Sequence, residues 1–164
     1  MKKFSRRYPS PTLNDLLAQA REAMSEAIAP YSNFRVGAAL LTKNGAIYRG
    51  HNIEVASYSL TMCAERVALF KALSEGEREF ESILIVASSG DFCAPCGACR
   101  QVLMEFAPSL VAHLVDKDGR FKSFSISELL PESFSKRNLD HLFRNANAKT
   151  SRKARQSKGA HGKN

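Results

Sequence analysis

Nowhere in the 164 residues is there a run approaching the ~18 consecutive apolar residues of a membrane-spanning helix, so no membrane association is expected. The opening Met1-Lys2-Lys3-Phe4-Ser5-Arg6-Arg7 passes into Tyr8-Pro9-Ser10-Pro11 without the apolar segment of a secretory signal, which predicts a cytoplasmic protein. Cysteine is scarce: there are four, and three of them follow one another as Cys93-x-x-Cys96-x-x-Cys99. In a chain without an export signal, that spacing speaks for metal binding rather than a disulfide framework. Acidic residues are missing from both ends. Residues 1–10 carry four Lys/Arg and residues 141–164 carry seven, while all sixteen Asp/Glu fall between 11 and 140, beside the remaining thirteen Lys/Arg. The net charge of +8 therefore belongs to the ends, and the interior is slightly acidic. From Lys149 to Asn164 no large apolar residue occurs, so this stretch cannot bury enough surface to offset its ordering entropy. The chain reads as a basic N-terminal extension (1–10), one domain (11–140) and a basic, disordered tail (141–164). A solubilising role for the tail is preferred over an arm for nucleic acid or another anionic partner.

Within 11–140 the periodicity is mixed. Leu13, Leu16, Leu17, Ala20, Met24 and Ile28 recur at helical spacing between Pro11-Thr12 and Pro30. Val36–Thr42 is a short buried run, and Asn44-Gly45 turns it into Ala46-Ile47-Tyr48 as a hairpin. A second helix is expected from Thr61 or Met62 to near Gly76, and a buried strand over Ile83–Ala87. A third helix starts around Pro95 or Cys96 and ends before Pro108. Strands near Leu110–Leu114 and Arg120–Phe124 flank Asp118-Gly119, and Ser125 or Ser127 can cap a last short helix over Ser127–Leu130. Alternation of strands with helices predicts an α/β protein with one mixed sheet covered by helices.

Chemistry concentrates where helices begin. Cys63-Ala64-Glu65 opens one, and Pro95-Cys96-Gly97-Ala98-Cys99 opens another. Three thiolates at helix N-termini can hold zinc and leave its fourth position for water, with Glu65 beside that position and not needed as a ligand. Three thiolates over-neutralise the ion, so a cation is required nearby; Arg66 is the first candidate and Arg100 the second. A lone CxxC is weak evidence and a helical Glu is usually a solvated charge, but the combination points to an open, hydrolytic zinc site. Cys93 is the competing thiol, able in principle to close the site; the stiff Ala94-Pro95 link aims it elsewhere.

Those residues resemble the zinc-dependent cytidine deaminases, in particular the small, homotetrameric, three-cysteine type. The likeness extends through Ala29–Ala39, Asn52–Tyr58, Cys63–Arg66, Pro95–Gln101 and Leu129–Phe134, five blocks in register over roughly residues 12 to 135. The resemblance implies a three-layer sandwich around a mixed five-stranded sheet, and one zinc ion per subunit on Cys63, Cys96 and Cys99. It implies hydrolytic deamination of cytidine and deoxycytidine in pyrimidine salvage, by attack of zinc-activated water at C4. Glu65 would pass a proton from that water to pyrimidine N3 and then to the leaving amine. Asn52 and Glu54 would hold the ribose 3′-hydroxyl, Phe34 would pack on the base, and the backbone at Ala64 and Ala94 would contact it. Arg66 would support the thiolates. Ala56, Tyr58 and Phe134 would reach across subunits of a homotetramer, a dimer being the simpler alternative. Val55 departs from the Asn that the family commonly carries there.

Three other functions compete. Blasticidin-S deaminase shares the Cys-Ala-Glu and Pro-Cys-Gly-x-Cys blocks, but Asn52-x-Glu54 favours a nucleoside. A deaminase of single-stranded nucleic acid would suit the basic ends but not the acidic interior, and it usually has His where Cys63 stands. A structural-zinc module bound to nucleic acid would have no use for Glu65.

Overall fold

Val36–Thr42 is buried at every position, the burial pattern of a strand covered on both faces, and it lies inside a five-stranded sheet. The computed structural model describes residues 11–136, 138 and 139; the two basic extensions expected from the sequence fall outside the described residues. The elements are α1 (Leu13–Ser25), β1 (Val36–Thr42), β2 (Ile47–His51), α2 (Ala64–Ser74), β3 (Phe80–Ala87), α3 (Gly97–Phe106), β4 (Val111–Val115), β5 (Phe121–Ser125) and α4 (Ile126–Leu129), with a single 3-10 turn at Tyr58–Leu60. The strand order is β2-β1-β3-β4-β5. All neighbours are antiparallel except β3 and β4, which run parallel and are joined through α3. The chain divides into two units, Met1–Ser133 and Phe134–Asn164, the cut falling a few residues before the expected domain end at 140.

Alternation along the central strands sorts the core into two layers. Ala38, Leu40, Ile83, Ile85, Ala112 and Leu114 face α2 and α3, where Ala64, Ala68, Leu69 and Leu103 meet them. Ala39, Leu41, Leu84, Val86 and Val115 face the opposite way and pack on Leu16 and Ala20 of α1. This is an α/β three-layer sandwich built on a mixed five-stranded sheet.

Two glycines set how closely the helices approach. A Cβ on Gly37 would lie 2.0 Å from the Ala20 carbonyl oxygen, and one on Gly50 would lie 2.3 Å from that of Ala64. Gly50 therefore lets the first turn of α2, with Glu65, sit directly on β2.

Several ends differ from the sequence reading. The first helix stops at Ser25, not near Ile28, because Ile28 turns its backbone to the segment Asn52–Glu54: its N–H donates to the Asn52 carbonyl, and its carbonyl accepts from Glu54 N–H. Ile53 in turn bridges to Met62, which keeps Met62 extended and delays α2 until Ala64. The third helix likewise begins at Gly97, just after Cys96. The second strand runs on to His51 and the fourth strand of the reading, β4, ends at Val115. Pairing between distant segments sets these limits, and local periodicity carries no record of it.

Candidate metal and catalytic site

The two irregular joins just described place the thiols. Cys63 and Cys96 are the N-cap residues of α2 and α3, both in extended backbone conformation, and neither sulfur bonds the N–H groups of its own helix. Cys99 follows in the first turn of α3 and is fully buried. The three Sγ atoms lie within 4.8 Å of one another, the only such cluster of His, Cys, Asp or Glu among the described residues. Cys63 and Cys96 are 3.7 Å apart at Sγ, which matches the ~3.8 Å between ligands of a tetrahedral ion with ~2.3 Å Zn–S bonds. The donor set fits zinc.

Arg66 turns back over this cluster. Its Nη2 lies 3.5 Å from Cys63 Sγ and 3.4 Å from the Thr61 carbonyl oxygen, and its Nε is buried with no hydrogen-bond partner. A thiol hydrogen bond from Cys99, aided by Arg66 and Cys96 against the opposing effect of burial, holds the Cys63 thiol down to about 5, while the same contact and burial drive Cys99 upward. Arg100 does something else: its Nε donates to the Pro95 carbonyl at 2.7 Å and its Nη1 to that of Leu129 at 3.0 Å, bracing the turn that presents Cys96.

Glu65 is 4% exposed, at the second position of α2. Burial pushes its carboxyl up to about 7, and the charge on Cys63 adds to the effect. Cys93 lies outside the thiol cluster but lines the adjoining cavity.

That cavity has a volume of about 330 Å³, and it joins two groups of residues. Cys63, Cys96 and Glu65 form the first, with Ala64 and Ala94 in the wall; Phe34, Asn52, Glu54, Ser32 and Tyr58 form the second. Asn52 is buried, accepts from Val36 N–H at 2.8 Å and donates to the Phe34 carbonyl at 2.8 Å, so it holds the aromatic wall by its backbone. Glu54 is buried as well. Its Oε2 accepts from the N–H groups of Tyr31 (2.9 Å) and Ser32 (3.2 Å), and its Oε1 from the Ser32 hydroxyl and, at 3.4 Å, the Tyr58 hydroxyl. The Ser32 hydroxyl foremost, with those N–H groups, keeps the Glu54 carboxylate below its usual range.

The profile of the cytidine and deoxycytidylate deaminase zinc-binding region matches residues 11–114. The chain belongs to this family. It is 48% identical over 126 residues to the cytidine deaminase of Halalkalibacterium halodurans, covering 76% of this chain and 96% of that protein. Over 127 residues it is 46% identical to the cytidine deaminase of Sporosarcina psychrophila, covering 77% and 93%. The crystal structure of cytidine deaminase from Burkholderia pseudomallei superposes with a TM-score of 0.73 at 46% identity, over 76% of this chain and all of that one. The chain is therefore an enzyme with a zinc-binding deaminase domain, and its thiol cluster is where the ion fits.

Of the residues singled out from the deaminase resemblance, Phe34, Asn52, Glu54, Tyr58, Cys63, Ala64, Glu65, Ala94 and Cys96 line one cavity, and Cys99 and Arg66 lie against its thiols. Ala56 is exposed and outside the lining, as is Val55, whose N–H donates to Thr61 Oγ1. Phe134 belongs to the second unit. The sequence reading gave no role to Ser32, whose only signal is its place inside Pro30-Tyr31-Ser32-Asn33-Phe34.

Proposed function

We propose that the protein removes the 4-amino group of cytidine and deoxycytidine as ammonia, leaving uridine and deoxyuridine, as a step of pyrimidine salvage. One observation carries the reading: the thiol–Glu65 group and the Asn52–Glu54–Phe34 group open into the same cavity of about 330 Å³, a volume suited to a small ligand. No Lys, Arg or His lines it among the described residues, while Glu54 and Glu65 do. A 5′-phosphate would meet carboxylates and no counter-charge, which favours nucleosides over nucleotides.

Held by Cys63, Cys96 and Cys99, zinc supplies the Lewis acidity that makes water a nucleophile near neutral pH. Glu65 then serves as the proton carrier. It accepts a proton from the water that attacks C4 and delivers it to N3; it then takes the remaining proton from the hydroxyl formed at C4 and passes it to the amine, as the C4–N bond breaks and the C4 carbonyl forms. Buried, and in none of the ion pairs among the described residues, its carboxyl stays available for proton transfer. Phe34 packs on the pyrimidine, the backbone at Ala64 and Ala94 orients it, and Asn52 and Glu54 receive the sugar hydroxyl. A base without sugar makes no contact with Asn52 or Glu54 and forgoes their binding energy, so cytosine is a poor substrate. Arg66 draws charge from the Cys63 thiolate.

The catalytic domain spans 11–140 and the basic extensions lie outside its chemistry. Four chains assemble, with Ala56, Tyr58 and Phe134 at their contacts. Support comes from the exposed apolar residues near the cavity, where Ile28, Tyr31 and Leu60 are each at least half exposed and Tyr31 and Tyr58 meet edge to face. No helix among the described residues is long and apolar enough to cross a membrane. A site built of reduced thiols suits the cytoplasm.

Ammonia release should be measured from cytidine, deoxycytidine, cytosine, deoxycytidine 5′-monophosphate, blasticidin S and single-stranded DNA. Turnover is expected on the two nucleosides. Glu65→Gln is expected to retain zinc and lose at least about a thousandfold in kcat, more than the ~10²–10⁴ range's lower end for a single acid–base group because it serves twice. Zinc-loaded wild-type protein inert on both nucleosides would overturn the reading.

A further inference from the structure

Glu54 is the residue placed here against the sugar, yet it does not orient itself. Four protein donors surround its carboxylate, and three of the four come from two adjacent residues, Tyr31 and Ser32. Ser32 alone contacts both oxygens: its N–H reaches Oε2 and its hydroxyl reaches Oε1. A hydroxyl has one hydrogen to give, and here it goes to Glu54. That fixes the rotor, leaving the oxygen lone pairs to accept the N–H of Phe34 at 3.0 Å. The hydroxyl is therefore a relay from the backbone of the aromatic wall to the carboxylate.

The loop is bent to make this connection. Asn33, between the two, is the one non-glycine residue with a positive φ among the described residues, at 55°. An αL conformation costs a non-glycine side chain some stability, least for Asn and Asp, and it persists where surrounding contacts enforce it. Here those contacts are Ser32 to Glu54 on one side and Asn52 to the Phe34 carbonyl on the other. The Tyr58 hydroxyl, at 3.4 Å, is the longest of the four contacts and so the one most readily exchanged for a substrate hydroxyl.

We propose that Ser32 is the positioning residue for sugar recognition: its hydroxyl holds Glu54 and Phe34 in register, so that discrimination for a 3′-hydroxyl depends on Ser32 as much as on the carboxylate it serves. The proposal rests on the assignment of Glu54 to the sugar. Removal of the hydroxyl leaves Glu54 Oε1 with only the long contact to Tyr58, so the carboxylate is less firmly oriented, and it strips the Phe34 N–H of its acceptor. The thiols and Glu65 lie on other elements and keep their places.

The test compares zinc-loaded wild type, Ser32→Ala and Ser32→Thr on cytidine and on 3′-deoxycytidine, which lacks only the hydroxyl in question. For Ser32→Ala, KM for cytidine is expected to rise about tenfold with kcat changed less than about threefold, KM for 3′-deoxycytidine to stay within about twofold, and zinc to remain at one per chain. Ser32→Thr, which restores a hydroxyl, is expected to recover most of the preference. Should Ser32→Ala fail to fold, Ser32→Cys keeps the side-chain volume with only a weak donor and is expected to show the same loss of preference. Equal losses on both nucleosides, a fall confined to kcat, or an unchanged preference in a folded variant lacking the hydroxyl would overturn the role of Ser32 while leaving Glu54 as the sugar acceptor. A wild-type enzyme indifferent to the 3′-hydroxyl would overturn both.

Discussion

Cys63 and Cys96 solve the same local problem in the same way. Each holds an extended backbone, with ψ of 152° and 166°, and hands the chain to a helix at the next residue. The thiolates therefore sit at the positive ends of two helices without being consumed as caps, an arrangement that favours anionic sulfur. Cys99 completes the set from one turn further on. Replacing any of the three by Ser is expected to lower bound zinc well below one per chain in elemental analysis of purified protein, whereas Cys93→Ser keeps full occupancy. Zinc retained by all three ligand variants would rule the cluster out as the metal site. These residues were legible in the sequence because thiols at this spacing have few other uses. Ser32 was not, because the partner that gives its hydroxyl a purpose is 22 residues away and the serine itself is unremarkable in a loop. Arg100 misled for the opposite reason: its neighbour in sequence is Cys99, but its guanidinium bonds backbone carbonyls at Pro95 and Leu129.

Among the elements, α2 is placed by the absence of a side chain. Gly50 faces the backbone of Ala64 and Ala68 so closely that even a methyl group has no room, with 2.5 Å to the Ala68 nitrogen. Gly50→Ala is expected to cost about 1–3 kcal/mol or more, as overpacking against backbone does, and to reduce turnover because α2 carries Cys63, Ala64 and Glu65 into the cavity. Thermal unfolding together with kcat measurements checks this; an unchanged melting temperature would mean that β2 and α2 separate freely. The order and type of the helices and strands could be read from apolar runs and Gly/Pro punctuation. Their ends could not. The Ile28–Ile53–Met62 ladder trims α1 and delays α2, and it joins three segments that periodicity treats as unrelated. The same ladder brings Asn52 and Glu54 beside the thiols, so the part of the fold hardest to foresee is the part that assembles the cavity.

For the molecule as a whole, charge and chemistry are separated along the chain. The family match ends at residue 114, and alignments covering 76–77% of this chain already span 93–96% of the bacterial relatives. Seven Lys/Arg lie in 141–164, while no basic side chain lines the cavity among the described residues. A chain ending at residue 143 is expected to turn over cytidine with kcat/KM within about twofold of the full chain, and both are expected to sediment as tetramers. A dimeric species with full activity would remove the tetramer from the account, and a large loss on truncation would tie the tail to the site.

The position of β3 between the two ligand-bearing helices has a consequence in time. About 36 residues separate Cys63 from Cys99, and at ~5–20 residues per second of synthesis the first thiol waits some seconds for the last. In that interval β3 is made, while most of α3 and the whole of β4 follow Cys99. The complete set of three thiols therefore exists only after β3 has been made, so the strand at the centre of the sheet precedes the full metal site in the order of synthesis.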